Sequence, residues 1–162
     1  MSVDVVCPGS FDPITLGHLD VIERAARRFD HVVVVVLENP NKQGLFDVDE
    51  RIDLIEQVTA HLDNVEADRF RGLLVDYCRQ RGIGIICKGL RGPADFEYEL
   101  QMAQMNRRIG DVETVFVPTD PAHSYLSSSL VKEVAGYGGD VGGAVPPTVV
   151  AALRARLAGS AG

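Results

Sequence analysis

No stretch of this 162-residue chain stays apolar for longer than residues 32–37. A bilayer-spanning helix needs about 20 such residues, so no membrane span is expected. Cysteine is scarce: Cys7, Cys78 and Cys87 are an odd, widely spaced set without a CxxC pair. That pattern speaks against a zinc site and for reduced, buried thiols in a cytoplasmic protein. The four histidines, at 18, 31, 61 and 123, are never three or four residues apart, so no helical metal pair exists. The first residues carry Asp4 and no basic segment, unlike a secretory signal. Positive charge is short as well: 16 Lys and Arg against 23 Asp and Glu give a net charge of −7. A general nucleic-acid binder carries a basic face and is not expected. A small anionic ligand needs only a few local cations and stays open. GxGxxG and GxxxxGK(S/T) are both missing, which excludes an ordinary dinucleotide dehydrogenase and a P-loop enzyme.

What is present is ordinary globular composition, 46% apolar and 24% charged, in a length that suits one domain with a real core. β-Branched runs at 3–7 and 32–37, a weaker one at 65–67, and further runs at 83–87 and 114–117 read as strands. Between them lie helical patterns. Leu19, Ile22, Ala25 and Phe29 mark the first. Asp47 with Glu50 forms a capping box ahead of Ile52, Ile55, Val58 and Leu62. Residues 73–81 form a short helix closed by Gly82. Residues 95–109 form a longer one, with Phe96, Leu100, Ala103 and Met105 as its apolar markers. Residues 127–137 turn Leu130, Val131, Val134 and Ala135 inward, and a last helix after Pro146 and Pro147 ends near Leu157. Alternation of this kind implies an α/β fold: a single-domain, Rossmann-like open parallel sheet of about five strands with helices on both faces. The domain is expected over 1–158, with 159–162 as a frayed tail.

Ligands in such sheets bind outside the carboxyl ends of the strands. After the first strand, Pro8, Gly9, Ser10, Phe11, Asp12 and Pro13 lead to Thr15-Leu16-Gly17-His18 at a helix start. Free amides and a positive dipole end make such a start an anion site, with the Ser10 hydroxyl and His18 imidazole close by. The same residues also fit a tight turn with Thr15 as N-cap and His18 on the surface. Asn39-Pro40-Asn41-Lys42 places one cation after the second strand. Lys88-Gly89-Leu90-Arg91 places two after the fourth, where Arg suits bidentate phosphate binding and Lys acts as a point charge. Ser127, Ser128 and Ser129 open a helix after the fifth strand, either as plain caps or as donors to a nucleotide.

Taken together, these segments resemble the nucleotidyltransferase superfamily with the (H/T)xGH signature, and within it the bacterial phosphopantetheine adenylyltransferases. The resemblance rests on the 8–13 turn, Thr15-Leu16-Gly17-His18, Lys42, Lys88-Gly89-Leu90-Arg91, Asp95-Phe96-Glu97-Tyr98-Glu99, Met105-Asn106 and the 127–134 stretch, in order along nearly the whole chain. It implies transfer of AMP from ATP to 4′-phosphopantetheine, giving dephospho-coenzyme A and pyrophosphate. It also implies Mg²⁺ carried on the ATP phosphates with no metal ligands from the protein, coenzyme A as a feedback ligand, and a homohexamer. Carried over residue by residue, His18 stabilises the transition state. Ser10, Phe11, His18, Gly89, Leu90, Arg91, Glu99, His123, Ser124, Tyr125, Leu126, Ser127, Ser128 and Ser129 hold ATP. Ser10, Lys42, Leu74 and Lys88 bind the phosphopantetheine. The chain departs from the commoner family pattern with Ser10 for Thr, Lys88 for Arg, and His123 where some members have an aromatic. The residues alone leave open a different acceptor, such as nicotinamide mononucleotide or a polyol phosphate. They also leave open a non-catalytic nucleotide-binding module on the same fold.

The chemistry agrees with this residue set. A phosphate oxygen is already ionised at neutral pH, so its attack needs no protein nucleophile or strong base. It needs in-line positioning and stabilisation of charge on the α-phosphate.

Overall fold

The computed structural model describes residues 1–159, so the expected tail lies outside the described residues from position 160 on. The elements are β1 (Asp4–Gly9), α1 (Leu16–Ala26), β2 (His31–Leu37), α2 (Val48–Val58), β3 (Val65–Phe70) and α3 (Leu74–Arg81). They continue with β4 (Ile85–Leu90), α4 (Pro93–Gly110), β5 (Glu113–Pro118), α5 (Ser128–Gly136) and α6 (Pro147–Ala158). All five strands pair in parallel, in the order β3-β2-β1-β4-β5.

The valines of β2 explain why the sheet has two covered faces. Val32, Val34 and Val36 join a core built with Ile22 of α1, Ile55 of α2, Val131 of α5 and Leu153 of α6. Val33 and Val35 join a smaller core with Val75, Tyr77 and Cys78 of α3. All five valines are fully buried, as a strand covered on both sides requires. The capping box at α2 is present in full, with Asp47 and Glu50 each accepting the other's backbone N–H. Gly82 closes α3 at φ 67°, a left-handed geometry that glycine takes without penalty.

Strands reach further toward their carboxyl ends than side-chain hydrophobicity indicates. β1 includes Pro8 and Gly9, β3 runs to Phe70, and β4 includes Lys88, Gly89 and Leu90. Pairing with a neighbour's backbone sets these limits: β2 and β3 stay in register to Leu37 with Phe70, and β4 and β5 to Leu90 with Pro118. Lys88, Gly89 and Leu90 therefore stand on a strand, not in the loop after it.

Two helices differ from expectation in burial. In α5 only Val131 is buried, and Leu130 and Val134 are exposed. In α4 no residue is buried: Phe96, Leu100 and Met105 are all exposed. The helical period is right, but the surface that would cover it is not supplied by the described residues of this chain.

β1 pairs with β2 along its whole length. With β4 it shares, among the described residues, the single pair Val6–Ile86. Pro8, which has no N–H to give, lies in the stretch where the two strands part. This fork falls where the connection order reverses, the usual place for a ligand crevice in an open α/β sheet.

Candidate active site

A cavity of about 380 Å³ opens at the fork. Ser10, Phe11, Gly17 and His18 line it from the β1–α1 turn, and Lys88, Gly89 and Arg91 from β4 and its end. Glu99 enters from α4, and His123, Leu126, Ser127, Ser128 and Ser129 from the segment leading into α5. Most of the residues assigned to the nucleotide thus meet around one space, although they lie in four separate parts of the chain.

Thr15 caps α1, and its exchange with His18 decides what the imidazole can do. The Thr15 N–H donates to His18 Nδ1 at 3.0 Å, and the His18 N–H donates to Thr15 Oγ1 at 3.3 Å. Thr15 Oγ1 is also 3.2 Å from Nδ1. With Nδ1 used as an acceptor, the neutral ring carries its proton on Nε2. Burial, and then the charges of Lys88 and Arg91, push the His18 pKa down to about 4. At neutral pH His18 is therefore an uncharged donor, already oriented.

Phe11 supports it edge-on, with ring centroids 5.0 Å apart. Phe11 has φ 47°, a left-handed conformation costing about 1–3 kcal/mol in a residue with a Cβ. Its ring is buried in the main core, which offsets that cost. Among the first amides of α1, Leu16 N–H is taken by Ala144 O and His18 N–H by Thr15 Oγ1. Gly17 is thereby left as the first-turn donor for an anion. A Cβ on Gly17 would meet His123 O at 3.5 Å, an ordinary contact. Packing alone therefore does not require glycine there.

Each cation of this cavity faces a carboxylate from α4. Lys88 Nζ is 3.4 Å from Glu99 Oε1. Arg91 binds both oxygens of Asp95, and its Nη1 donates to Leu126 O at 2.9 Å, tying β4 to the segment before α5. Both cations of this cavity are thus locally neutralised. Nδ1 of His123 is buried and has no hydrogen-bond partner among the described residues.

A second cavity, about 340 Å³, adjoins the first and shares Ser10, Ser128 and Ser129 with it. Lys42, Arg51, Arg71 and Lys132 line it against Asp12 and Glu38, an excess of positive charge. Asp12 lies only 4% exposed at its back. It accepts from the amides of Leu45 at 3.0 Å and Phe46 at 2.9 Å, and pairs with Lys132 at 3.0 Å and Arg51 at 3.5 Å. Burial alone would raise its pKa. The two amides, Lys132 and Arg51 overcome this and hold the carboxyl below its ordinary value.

Not every candidate arrives at these cavities. Lys42 lines the second, whereas Lys88 lines the first. Leu74 packs with Leu37 and Phe70 on the smaller core and lines neither. Leu90, Ser124 and Tyr125 are also outside both walls. The Leu90 carbonyl accepts from Thr119, Ser124 Oγ donates to Pro121 O, and Tyr125 is exposed. Sequence reasoning missed Asp12, Arg51, Asp95 and Lys132 as site-building groups. Asp12 and Lys132 are far apart in the chain, and the one available signal was an aspartate in an otherwise apolar turn.

A cytidylyltransferase-like family model matches residues 6–134. A curated relative from Streptomyces coelicolor, a phosphopantetheine adenylyltransferase, is 61% identical over 94% of this chain and 96% of its own. The chain belongs to the phosphopantetheine adenylyltransferases, within the cytidylyltransferase-like family. Two solved structures share its fold at low identity. One, from Vibrio parahaemolyticus and provisionally assigned as a nicotinate-nucleotide adenylyltransferase, has a TM-score of 0.67 at 20% identity. It covers 96% of this chain and 93% of its own. The other, a lipopolysaccharide core biosynthesis protein from Thermoplasma volcanium, has a TM-score of 0.52 at 22% identity, over 74% of this chain and 98% of its own. In this family setting, the imidazole of the Thr15-Leu16-Gly17-His18 motif lines the larger of the two joined cavities.

The state of His18 is directly measurable. Imidazole NMR should show the Nε2–H tautomer at pH 7 and a midpoint near 4 in the ligand-free protein. A midpoint at the ordinary 6.5 would overturn the assignment. The unfolded chain takes this proton near 6.5 and the folded one resists it. His18 therefore makes stability fall as pH drops from 6.5 toward 4.

Proposed function

We propose that this chain transfers AMP from ATP to 4′-phosphopantetheine, giving dephospho-coenzyme A and pyrophosphate, by direct in-line attack without a covalent enzyme intermediate. One observation carries the reading: two cavities, each lined by cations, meet at Ser10, Ser128 and Ser129. ATP fits the first, beside His18 and the starts of α1 and α5. The phosphate of the acceptor fits the second, beside Lys42. The two then face each other across the shared serines, with the acceptor oxygen aimed at the α-phosphate.

The acceptor phosphate is its own nucleophile, so the protein supplies position and charge stabilisation. As the acceptor oxygen bonds to the α-phosphorus and the bond to pyrophosphate breaks, negative charge grows on the α-phosphate oxygens. The Nε2–H of His18 and the Gly17 amide answer that charge, and neither has to reorganise to do so. Among the described residues no cluster of three or more His, Cys, Asp or Glu could hold a metal. Asp95 and Glu99 are already paired with cations. Mg²⁺ arriving on the ATP phosphates would supply neutralisation of charge on the departing pyrophosphate, while the residues of the cavity supply position and N–H donors. Coenzyme A contains the product and would compete for the same two cavities, which supports feedback.

The apolar side of α4 supports assembly into a homohexamer. Tyr98, Met102, Met105 and Ile109 recur at helical spacing and are all exposed. A stripe of this kind on a soluble chain marks an interaction surface, and the expected occupant is a second copy of the chain. Among the described residues no helix is long and apolar enough to cross a membrane. The free thiols suit a reducing cytoplasm.

Pyrophosphate release with 4′-phosphopantetheine, nicotinamide mononucleotide and polyol phosphates tests the acceptor, and release with another acceptor alone would overturn it. In the same assay Lys42→Ala should raise the acceptor KM much more than the ATP KM; equal effects would place Lys42 with ATP. His18→Ala should lose on the order of 10²–10³ in kcat, about 2.7–4 kcal/mol, with ATP affinity kept within several-fold. Near-normal turnover would remove His18 from the mechanism. Light scattering should give a hexameric mass, and a fully active monomer would refute the assembly.

A further inference from the structure

Two thiols sit where the sheet forks, and the reaction uses neither. Cys7 of β1 and Cys87 of β4 stand one residue beyond Val6–Ile86, the pair that ends the ladder between these strands. Both lie on the α1 side of the sheet, in the core with Ile22, while Val6 and Ile86 belong to the opposite core. Val6 and Ile86 are paired strand neighbours, about 4.8 Å apart, and the two cysteines are one step beyond them. That spacing lies within the Cα separation of roughly 4.4–6.8 Å that a disulfide spans. The two thiols belong to the same buried core cluster and line the same cavity. They are free and only 4% and 2% exposed, yet both form part of the first cavity's wall, within reach of a molecule as small as peroxide. Cys78, the third thiol, is buried on the other face with α3 and lines neither cavity.

The pair is asymmetric. Interaction with Cys87, and then burial, hold the Cys7 thiol well above its ordinary pKa. The same interaction lowers Cys87, with Arg24 adding to the effect against burial. Cys87 is thus the member that loses its proton first, and the thiolate is the reactive form.

The geometry points to a redox-sensitive dithiol: hydrogen peroxide converts Cys7 and Cys87 to a disulfide, and that bond draws the fork together and distorts the nucleotide cavity. The Cys87 thiolate attacks one peroxide oxygen, and the O–O bond breaks to leave a sulfenic acid and hydroxide, which takes up the Cys87 proton as water. Cys7 Sγ then attacks the Cys87 sulfur, the S–O bond breaks, and the hydroxyl leaves with the Cys7 proton as a second water. Two thiols lose two electrons, and one peroxide becomes two waters.

A disulfide holds its sulfurs about 2.05 Å apart, much closer than two unbonded thiols. Ser10 follows β1 directly and Lys88 is the residue after Cys87, so the movement reaches both sides of the cavity. A shift of about 1 Å in such a site is enough to cost on the order of 10² in rate. The functional half of this inference rests on reading the first cavity as the ATP site.

The test is peroxide treatment of the whole protein, followed by intact-mass and peptide analysis under denaturing conditions and by calorimetric titration with ATP. The expected result is the loss of two hydrogens, a Cys7–Cys87 cross-linked peptide, and ATP affinity weakened about tenfold or more, all restored by a thiol reductant. Cys78→Ser protein should behave in the same way. In Cys87→Ser protein, checked for folding by circular dichroism, neither the cross-link nor the loss of affinity should appear. Recovery of both thiols unlinked would overturn the proposal, and so would a cross-linked protein that binds ATP unchanged. Reduced protein that binds no ATP would overturn the nucleotide reading instead. The mass measurement needs no nucleotide and still decides the dithiol.

Discussion

The carboxylate of Asp12 holds the two cavities in place. It is buried behind the turn that carries Ser10 and Phe11, and it joins that turn to three other parts of the chain. The amides of Leu45 and Phe46 come from the loop before α2, Arg51 from α2 itself, and Lys132 from α5. Arg51 extends the network by donating to the carbonyls of Phe46 and Ser10. Taking one carboxylate out of water is expensive and is offset only when several donors satisfy it. Here they do, and the depressed pKa keeps the group ionised above the acid range. As pH falls through that depressed value, the charge and the contribution it makes to stability are lost together.

The sheet provides the other constraint. A fully paired parallel ladder leaves no room between neighbouring strands. β1 and β4 part after Val6 and Ile86, and the gap becomes the floor of a cavity. Strand geometry then delivers Ser10 and Lys88 to opposite sides, while the helix starts of α1 and α5 bring amides to it. The same stretch places Cys7 and Cys87 on neighbouring strands in the wall of the first cavity.

Electrostatics are divided between the cavities. The chain is acidic overall, and in the first cavity α4 pairs a carboxylate with each cation. On the proposed reading, a neutral His18 and backbone amides stabilise charge that develops during the reaction. The second cavity keeps its excess of cations. One helix, α4, serves both the site and the outer surface: Asp95 and Glu99 turn toward the cavity, and the stripe from Tyr98 to Ile109 is left uncovered.

By itself, the sequence determined the element order, the parallel sheet and the edge of the sheet at which the main cavity opens. Alternating periods of two and 3.6 residues are local properties of the chain, and strand ends in such folds are where ligands bind. Capping at Thr15 and Asp47 was legible for the same reason, since both partners lie within four residues. Strand ends were misplaced because backbone pairing with a neighbour, not side-chain character, sets them. The burial of α4 was misjudged because an apolar stripe looks the same in sequence whether it meets the core or another molecule. Only the tertiary structure decided that Asp12 joins Lys132 and Arg51, that Arg91 donates to the Leu126 carbonyl, and that two cavities share Ser10, Ser128 and Ser129. Those contacts join residues far apart in the chain. Their energies depend on burial and distance, which exist only once the sheet has brought the segments together.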